Sequence, residues 1–270
     1  MAEPFQARIP RDLVVVSGPD ATSFLQSLVS QDLDPVDVGD SVHTLLLQPQ
    51  GKLLVDMYAL RSDDDMWSLL CEGSFGATLA EGLQRFKIRV KAEIEQVATS
   101  ALAVRGARPE SRNVHLVPVP WNLSPSFDVF GTATAVDAIR AALDVPLVDD
   151  AGYERARIEA GVPRQGFDVD ERTIPQEAGL ERDAVSFTKG CFVGQELVCR
   201  IDTRGHVKRL LRRVRAEAPL ARGMAVEHDG KVVGEVTSAA GEVALVMIRR
   251  EVEAGATVTV DEIAARVEHL

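Results

Sequence analysis

The sequence is poor in cysteine: its 270 residues hold three, Cys71, Cys191 and Cys199. The number is odd and no pair has C-x-x-C spacing. A disulfide framework and a zinc ribbon are therefore not expected, and a reducing compartment, the cytoplasm, is favoured. Long apolar runs are missing as well. Nothing approaches the ~20 residues that a bilayer-crossing helix needs, so no membrane partner is expected. The first residues, Met1-Ala2-Glu3-Pro4-Phe5-Gln6-Ala7-Arg8, lack a basic segment followed by an apolar one, and no signal peptide is read there. Neither G-x-x-x-x-G-K-[ST] nor a G-x-G-x-x-G after a strand occurs, which leaves nucleotide-binding loops unsupported. There is no tandem repeat and no low-complexity tract. Positive charge is in the minority: 30 Lys and Arg stand against 41 Asp and Glu, for a net charge of −11. Such a chain repels itself and is a poor general binder of nucleic acid.

What is present is ordinary globular material, 46% hydrophobic and 26% charged, enough for one large core or two to three small ones. Ala21, Phe24, Leu25, Leu28 and Val29 recur at helical spacing behind Gly18-Pro19-Asp20. Val42 to Leu47 and Leu53 to Leu60 read as strands joined by a tight turn, Gln48-Pro49-Gln50-Gly51-Lys52. Trp67 to Cys71 is apolar, and its cysteine is assigned to the core. Leu79, Leu83 and Phe86 predict a helix, and the alternation from Ile88 to Val97 predicts a half-buried strand. This order indicates an α+β unit. Val136, Ile139 and Leu143 suggest another helix. Asp149 and Asp150 are caps for one from Tyr153 to Ala160, closed by Gly161 and Pro163. Residues 164–183 read as a long polar loop. Beyond residue 205, short β-type runs separated by Gly or Pro predict a small all-β domain, sandwich or barrel.

Charge is uneven. Between Lys189 and Arg215 stand eight Lys and Arg against Glu196 and Asp202. The stripe is either a site for an anionic partner or a solvated face bonded to nearby acids. At its start, Thr188-Lys189-Gly190-Cys191 follows a β-type run, Ala184 to Phe187, and precedes a helix-compatible segment, Phe192 to Ile201. Cys191 is thus expected near a helix N-terminus with an ammonium two residues away, and both favour thiolate over thiol. Gly190 lets the backbone turn or approach a ligand. Gln195 and Glu196 can bond the first helical turn or a partner. A single intracellular cysteine is more often inert than reactive. Cys199, about 12 Å along a continuous helix from Cys191, is read as inert and out of disulfide range.

The run Lys189-Gly190-Cys191-Phe192-Val193-Gly194-Gln195-Glu196 resembles the signature of the YgfZ branch of the YgfZ/GcvT family. Gly18-Pro19-Asp20-Ala21 with Phe24-Leu25-Gln26, Gln50-Gly51-Lys52, Arg157-Ile158-Glu159-Ala160-Gly161, Ile174-Pro175-Gln176-Glu177, Arg204-Gly205 and Gly234-Glu235-Val236-Thr237-Ser238 are similar to other family segments. The resemblance thus spans nearly the whole chain. It implies a GcvT-like α+β multi-domain ring: antiparallel-sheet and ferredoxin-like domains, plus a small C-terminal β-barrel. The borders expected are 1–45 with 145–205 for a discontinuous folate-binding domain, 46–144 for a ferredoxin-like domain, and 206–270 for the barrel.

The resemblance also implies a tetrahydrofolate, or a one-carbon derivative, whose pterin is held by Glu159. A carboxylate suits a pterin because it accepts two hydrogen bonds side by side. Without the family, Glu159 reads as the partner of an arginine such as Arg155. Asp56, Gln195, Glu196 and Arg204 are the further cofactor-binding candidates, Cys191 and Lys189 the catalytic ones, and no metal site is expected. The sister branch, the glycine-cleavage aminomethyltransferase, has two adjacent aspartates where this chain has Val55-Asp56. That departure favours an accessory protein over a folate-dependent one-carbon transferase. The YgfZ branch is linked to making or repairing iron–sulfur clusters in client enzymes, including some that modify tRNA. A third reading is RNA binding through the stripe from Arg204 to Arg215.

Overall fold

The computed structural model describes residues 3–110 and 112–270; Met1, Ala2 and Ser111 lie outside the described residues. The chain divides into two compact units, Met1–Val148 with Glu181–Leu197, and Asp149–Leu180 with Val198–Leu270.

The first unit runs β1 (Phe5–Arg8), β2 (Arg11–Ser17), α1 (Ala21–Leu28), β3 (Ser41–Leu47), β4 (Leu53–Asp63), β5 (Met66–Glu72), α2 (Gly76–Gln84), β6 (Glu93–Val97), β7 (Ser100–Arg105), β8 (His115–Pro118), β9 (Ser126–Gly131) and α3 (Ala133–Ala142). These strands build two sheets, of order β3-β4-β5-β2-β6 and β1-β7-β9-β8. Every pairing is antiparallel. Alternation sends Val14, Val16, Val55, Met57, Trp67 and Leu69 to one face of the larger sheet, where Phe24, Leu25 and Leu28 of α1 and Leu79 and Leu83 of α2 cover them. Cys71 joins this core, and burial pushes its thiol up to about 12. Val136 and Ile139 of α3 cover Leu102, Val104, Phe127 and Val129 of the smaller sheet.

Between the two sheets lies a buried ionic tie. Asp128 on β9 accepts from Arg105 on β7 at 2.7 Å and from Arg11 on β2 at 3.0 Å. Burial works against the Asp128 charge, but the two guanidinium groups outweigh it and hold the carboxyl below its usual range.

The hairpin β3–β4 turns at Gln48–Lys52, closed by Gln48 N–H to Lys52 O and Gly51 N–H to Gln48 O, both 2.8 Å. Gly51 sits at φ +76°, where only glycine is unstrained. One sequence expectation fails here. The strand expected from Ile88 is extended only from Glu93. Residues 85–92 form a loop in which Arg89 takes φ +59° and Ile88 lies open to solvent. The alternation was real, but no neighbouring strand pairs with its first half: β6 meets β2 only from Glu93 to Val97.

The second unit opens with α4 (Asp150–Ala160), capped by the Asp149 side chain accepting from Gly152 N–H and ended by Gly161 at φ +72°. The loop that follows carries a 3₁₀ turn, Pro175–Glu177. The chain then makes α5 (Glu181–Ala184), within the first unit, and α6 (Gln195–Arg204). The run Ala184 to Phe187, expected as a strand, is not one.

Last comes a closed six-stranded barrel, in order β10 (Arg209–Ala216), β13 (Val243–Arg249), β12 (Lys231–Ala240), β11 (Ala225–His228), β14 (Thr257–Val260) and β15 (Ile263–Glu268). Its interior is filled by Val214, Val226, Val236, Val246, Ile248, Val258, Val260 and Val267. The α+β class with antiparallel sheets and a small C-terminal barrel is therefore as expected from the sequence. Closure leaves the barrel without a free edge strand.

Candidate functional site

The signature run forms a strap across the first unit, fixed at both ends. At its start, the Lys189 ammonium donates to the backbone carbonyls of Gln26 at 2.7 Å, Val29 at 2.8 Å and Gln31 at 2.9 Å. Gln26 and the C-cap Val29 end α1, Gln31 follows just beyond it, and a cation there also meets the negative end of the helix. Partial burial draws the lysine down to about 8, against the pull of Asp32 and Asp34, so it remains cationic at neutral pH. At the other end, Gly194 (φ +79°) lies against the β3–β4 turn, where a Cβ would stand 2.5 Å from Gln48 O and 3.0 Å from Gly51 Cα. Two glycines picked out separately in the sequence thus pack backbone on backbone. Between these ends Phe192 is buried and Val193 packs on the core, while Cys191 is exposed.

One expectation about this strap changes, and the structure adds two contacts. Helix α6 begins at Gln195, so Cys191 stands four residues ahead of it rather than at its N-terminus. The Lys189 ammonium has its three hydrogens on carbonyls at and just beyond the end of α1, so it acts here as a clamp. Gly190 has nothing of the protein within 4 Å of a notional Cβ, while Gly194 makes a close approach to the β3–β4 turn. Gln195 and Glu196 form the first turn of α6, and Arg204 lies in its last.

Asp56 projects from β4 on the face opposite the apolar core, and Val55 beside it is fully buried in that core. Asp56 Oδ1 lies 2.5 Å from Nε2 of His43 on β3. His43 in turn stacks on Tyr58, its cross-strand partner, with ring centroids 4.8 Å apart. Burial opposes the His43 charge, but Asp56 outweighs it and raises the imidazole above its ordinary value. Burial together with Asp56 lifts the Tyr58 hydroxyl well above the usual phenol range. His43 Nδ1 is buried and has no hydrogen-bond partner among the described residues. The sequence reading missed His43, because a single histidine in an alternating strand carries no motif. Counting outward from the turn would not have found it either, because a bulge between Leu46 and Leu47 shifts the register, so that His43 faces Tyr58 and Leu45 faces Asp56.

In the second unit, Glu159 lies 3.6 Å from Arg155 and 4.0 Å from Arg215, with its side chain 37% exposed. The arginine pairing considered for it is present but long, and it leaves carboxylate lone pairs open to further donors. The buried charged residue of the Arg157–Gly161 stretch is Arg157. It donates to Asp168 at 2.7 Å, to Glu154 and Ser238 at 2.9 Å, and to Val162 O at 2.6 Å, while Thr237 donates to the other Asp168 oxygen at 2.6 Å. Burial opposes the Arg157 charge, and Asp168 and Glu154 outweigh it. Arg157 thereby fixes α4, the loop after it and β12.

Much of the basic stripe is neutralised. Arg209 pairs with Glu177, Arg213 with Glu268, and Arg215 with Glu268 and Glu159. These acids lie far off in sequence, so composition could not reveal them. Arg200, Arg204 and Lys208 form no ion pair among the described residues.

Comparison with known proteins agrees with this geometry. The model of the GCVT N-terminal domain matches residues 12–119, and that of the CAF17 C-terminal beta-barrel domain matches residues 208–269. The mitochondrial iron-sulfur cluster assembly factor IBA57 homolog of Mycosarcoma maydis is 28% identical over 221 residues, 75% of this chain and 55% of that protein. Mouse (Mus musculus) IBA57 is 27% identical over 281 residues, 89% of this chain and 76% of that protein. The tRNA-modifying protein YgfZ of Edwardsiella ictaluri is 29% identical over 228 residues, covering 75% and 68%. The chain spans about half the length of the fungal relatives it matches. The crystal structure of glycine cleavage system aminomethyltransferase T from Bartonella henselae shares the fold, with a TM-score of 0.87 at 20% identity over 100% of this chain and 86% of that one. With both family models in one polypeptide and the Lys189–Glu196 signature strapped across the first unit, the chain is similar to the YgfZ/GcvT family over most of its length.

Proposed function

We propose that the protein is a tetrahydrofolate-binding accessory factor for the assembly or repair of iron–sulfur clusters in client enzymes, tRNA-modifying ones among them. The observation that carries this reading is the strap. A thiol held exposed between a lysine clamp and a glycine–glycine contact is built to be presented, and thiolates are the usual ligands of such clusters. Cys191 is the functional thiol and Lys189 its positioning residue. One thiol cannot hold a cluster that takes four ligands, so any ligation by Cys191 is transient or shared with a partner. Relatives named for iron–sulfur cluster assembly and for tRNA modification support the same reading.

The residues present fit a folate. The open lone pairs of Glu159 suit the ring N–H and amino group of a pterin, which would supply the one-carbon carrier. Asp56, Gln195, Glu196 and Arg204 are its further proposed contacts. Arg200, Arg204 and Lys208 are the cations left for an anionic partner such as a folate glutamate tail or tRNA. A cytoplasmic location is part of the proposal. A second reading, a folate-dependent one-carbon transferase, rests on Asp56 and its tie to His43; methylene-donor turnover by the pure protein, lost in Asp56→Asn, would promote it.

The test is anaerobic calorimetry with tetrahydrofolate on wild type, Glu159→Ala and Cys191→Ser, alongside client-enzyme activity in cells. Binding by wild type and Cys191→Ser but not by Glu159→Ala is expected, with client activity lost in Cys191→Ser. Full client activity in Cys191→Ser would overturn the thiol's role, and absence of wild-type binding would overturn the folate's.

A further inference from the structure

The loop Arg85-Phe86-Lys87-Ile88-Arg89-Val90-Lys91 carries four cations, and residues 82–92 contain no acid, in a chain of net charge −11. Ile88 is 76% exposed, more than any other large apolar side chain among the described residues, and Phe86 beside it is 40% exposed. Lys87 pairs with Glu93 at 3.2 Å, whereas Arg85, Arg89 and Lys91 are exposed and form no ion pair among the described residues. Arg85 and Lys87 suit the C-terminal end of α2. That accounts for two charges and for neither exposed apolar group.

The loop is held in shape rather than left slack. The Lys91 N–H donates to Asp20 Oδ2 at 2.8 Å, and the Asp20 N–H donates back to Lys91 O at 3.3 Å. Gly18 is at φ +127°, and a Cβ there would stand 2.6 Å from Lys91 O. The Gly18-Pro19-Asp20 turn is thus the cradle of this loop. Val90 is anchored on the core, and Arg89 occupies the left-handed region at φ +59°. A backbone fixed in this way forgoes little entropy on docking.

We propose that the 85–91 loop docks on another protein, one whose surface offers an apolar pocket rimmed by carboxylates to Ile88 and Phe86. Apolar anchors ringed by charge are the usual form of an interface centre and its rim. RNA fits less well, because the most exposed group is aliphatic and cannot stack on bases. An anionic membrane also fits less well. A bilayer is an extended plane, and it would bring more of this acidic chain within the screening length of roughly 8 Å, whereas a partner's acidic patch is bounded.

The test places a photo-crosslinking amino acid at position 88 of the full chain in cells. Position 232, where valine is 58% exposed on the barrel, serves as control. The protein crosslinked at 88 is identified, purified and titrated against wild type, Ile88→Ser and Arg89→Glu at low and high salt, with thermal melts confirming the fold of each variant. Expected is one partner crosslinked at 88 and not at 232, an affinity about tenfold or more weaker for Ile88→Ser, and slower, less salt-sensitive association for Arg89→Glu. Crosslinking at 88 no stronger than at 232, or a purified partner indifferent to both substitutions, would overturn the proposal. So would a crosslink to RNA, or sedimentation of the wild type with phosphatidylserine vesicles that Ile88→Ser abolishes.

Discussion

Replacing Lys189 by methionine keeps an unbranched stem and removes the ammonium that the ends of three α1-side carbonyls share at 2.7, 2.8 and 2.9 Å. A hydrogen bond from a charged donor contributes about 1.5–3 kcal/mol, and a buried carbonyl left bare costs about 1–3 kcal/mol. The clamp is only partly buried, so water can reach some of these oxygens and the three losses do not add in full. We expect Lys189→Met to lower unfolding stability by about 3 kcal/mol, measured by urea titration. The loss should be concentrated in the strap: amide exchange over residues 189–194 should quicken far more than that of β3 to β5. A Lys189→Met protein within about 0.5 kcal/mol of wild type, the range of an ordinary surface change, and with unaltered strap exchange would refute the clamp.

Further outcomes follow from the same geometry. Arg157→Leu strands the fully buried Asp168 side chain and should cost about 3–5 kcal/mol, read as a fall in melting temperature. Gly194→Ala forces a Cβ to within 2.5 Å of Gln48 O at φ +79° and should destabilise by more than about 1 kcal/mol, whereas Gly190→Ala, with open space around it, should be mild. His43 has its folded value raised, so its contribution is complete below the ordinary value of 6.5 and fades as pH rises through the folded value. Wild type should therefore lose stability relative to His43→Gln above pH 6.5, as followed by denaturation at a series of pH values. Native alkylation with iodoacetamide, read by mass spectrometry, should label Cys191 first and spare Cys71, whose buried thiol is pushed up to about 12.

Local patterns were legible where local physics decides them. Helical spacing placed α1, the Asp149 cap and Gly161 bracketed α4, and Thr257 to Val260 was read with the limits it has in the barrel. Tertiary partners were not legible. The alternation at Ile88 could not reveal that β2 stops pairing before it, nor that Asp20 turns Lys91 away from a strand. Charge counting marked the arginines of β10 but not Glu177, Glu159 and Glu268, which reach them across the fold. At the strap, the motif singled out Lys189 and Cys191 and assigned the lysine a chemical task. Its physical task depends on a helix end about 160 positions earlier in the chain.

That separation has a consequence for how the protein is made. Synthesis is vectorial, and amino-terminal segments collapse first. When α1 has formed, the lysine that closes its end is still untranslated, and the intervening stretch includes the first segment of the other unit. The strap is therefore among the late structures to assemble, with the closure entropy of a very long loop against it. A chain that stops short of Lys189 has no strap, so Cys191 is held in place only after both segments of the first unit have been made. The order of synthesis itself thus sets when the strap can close.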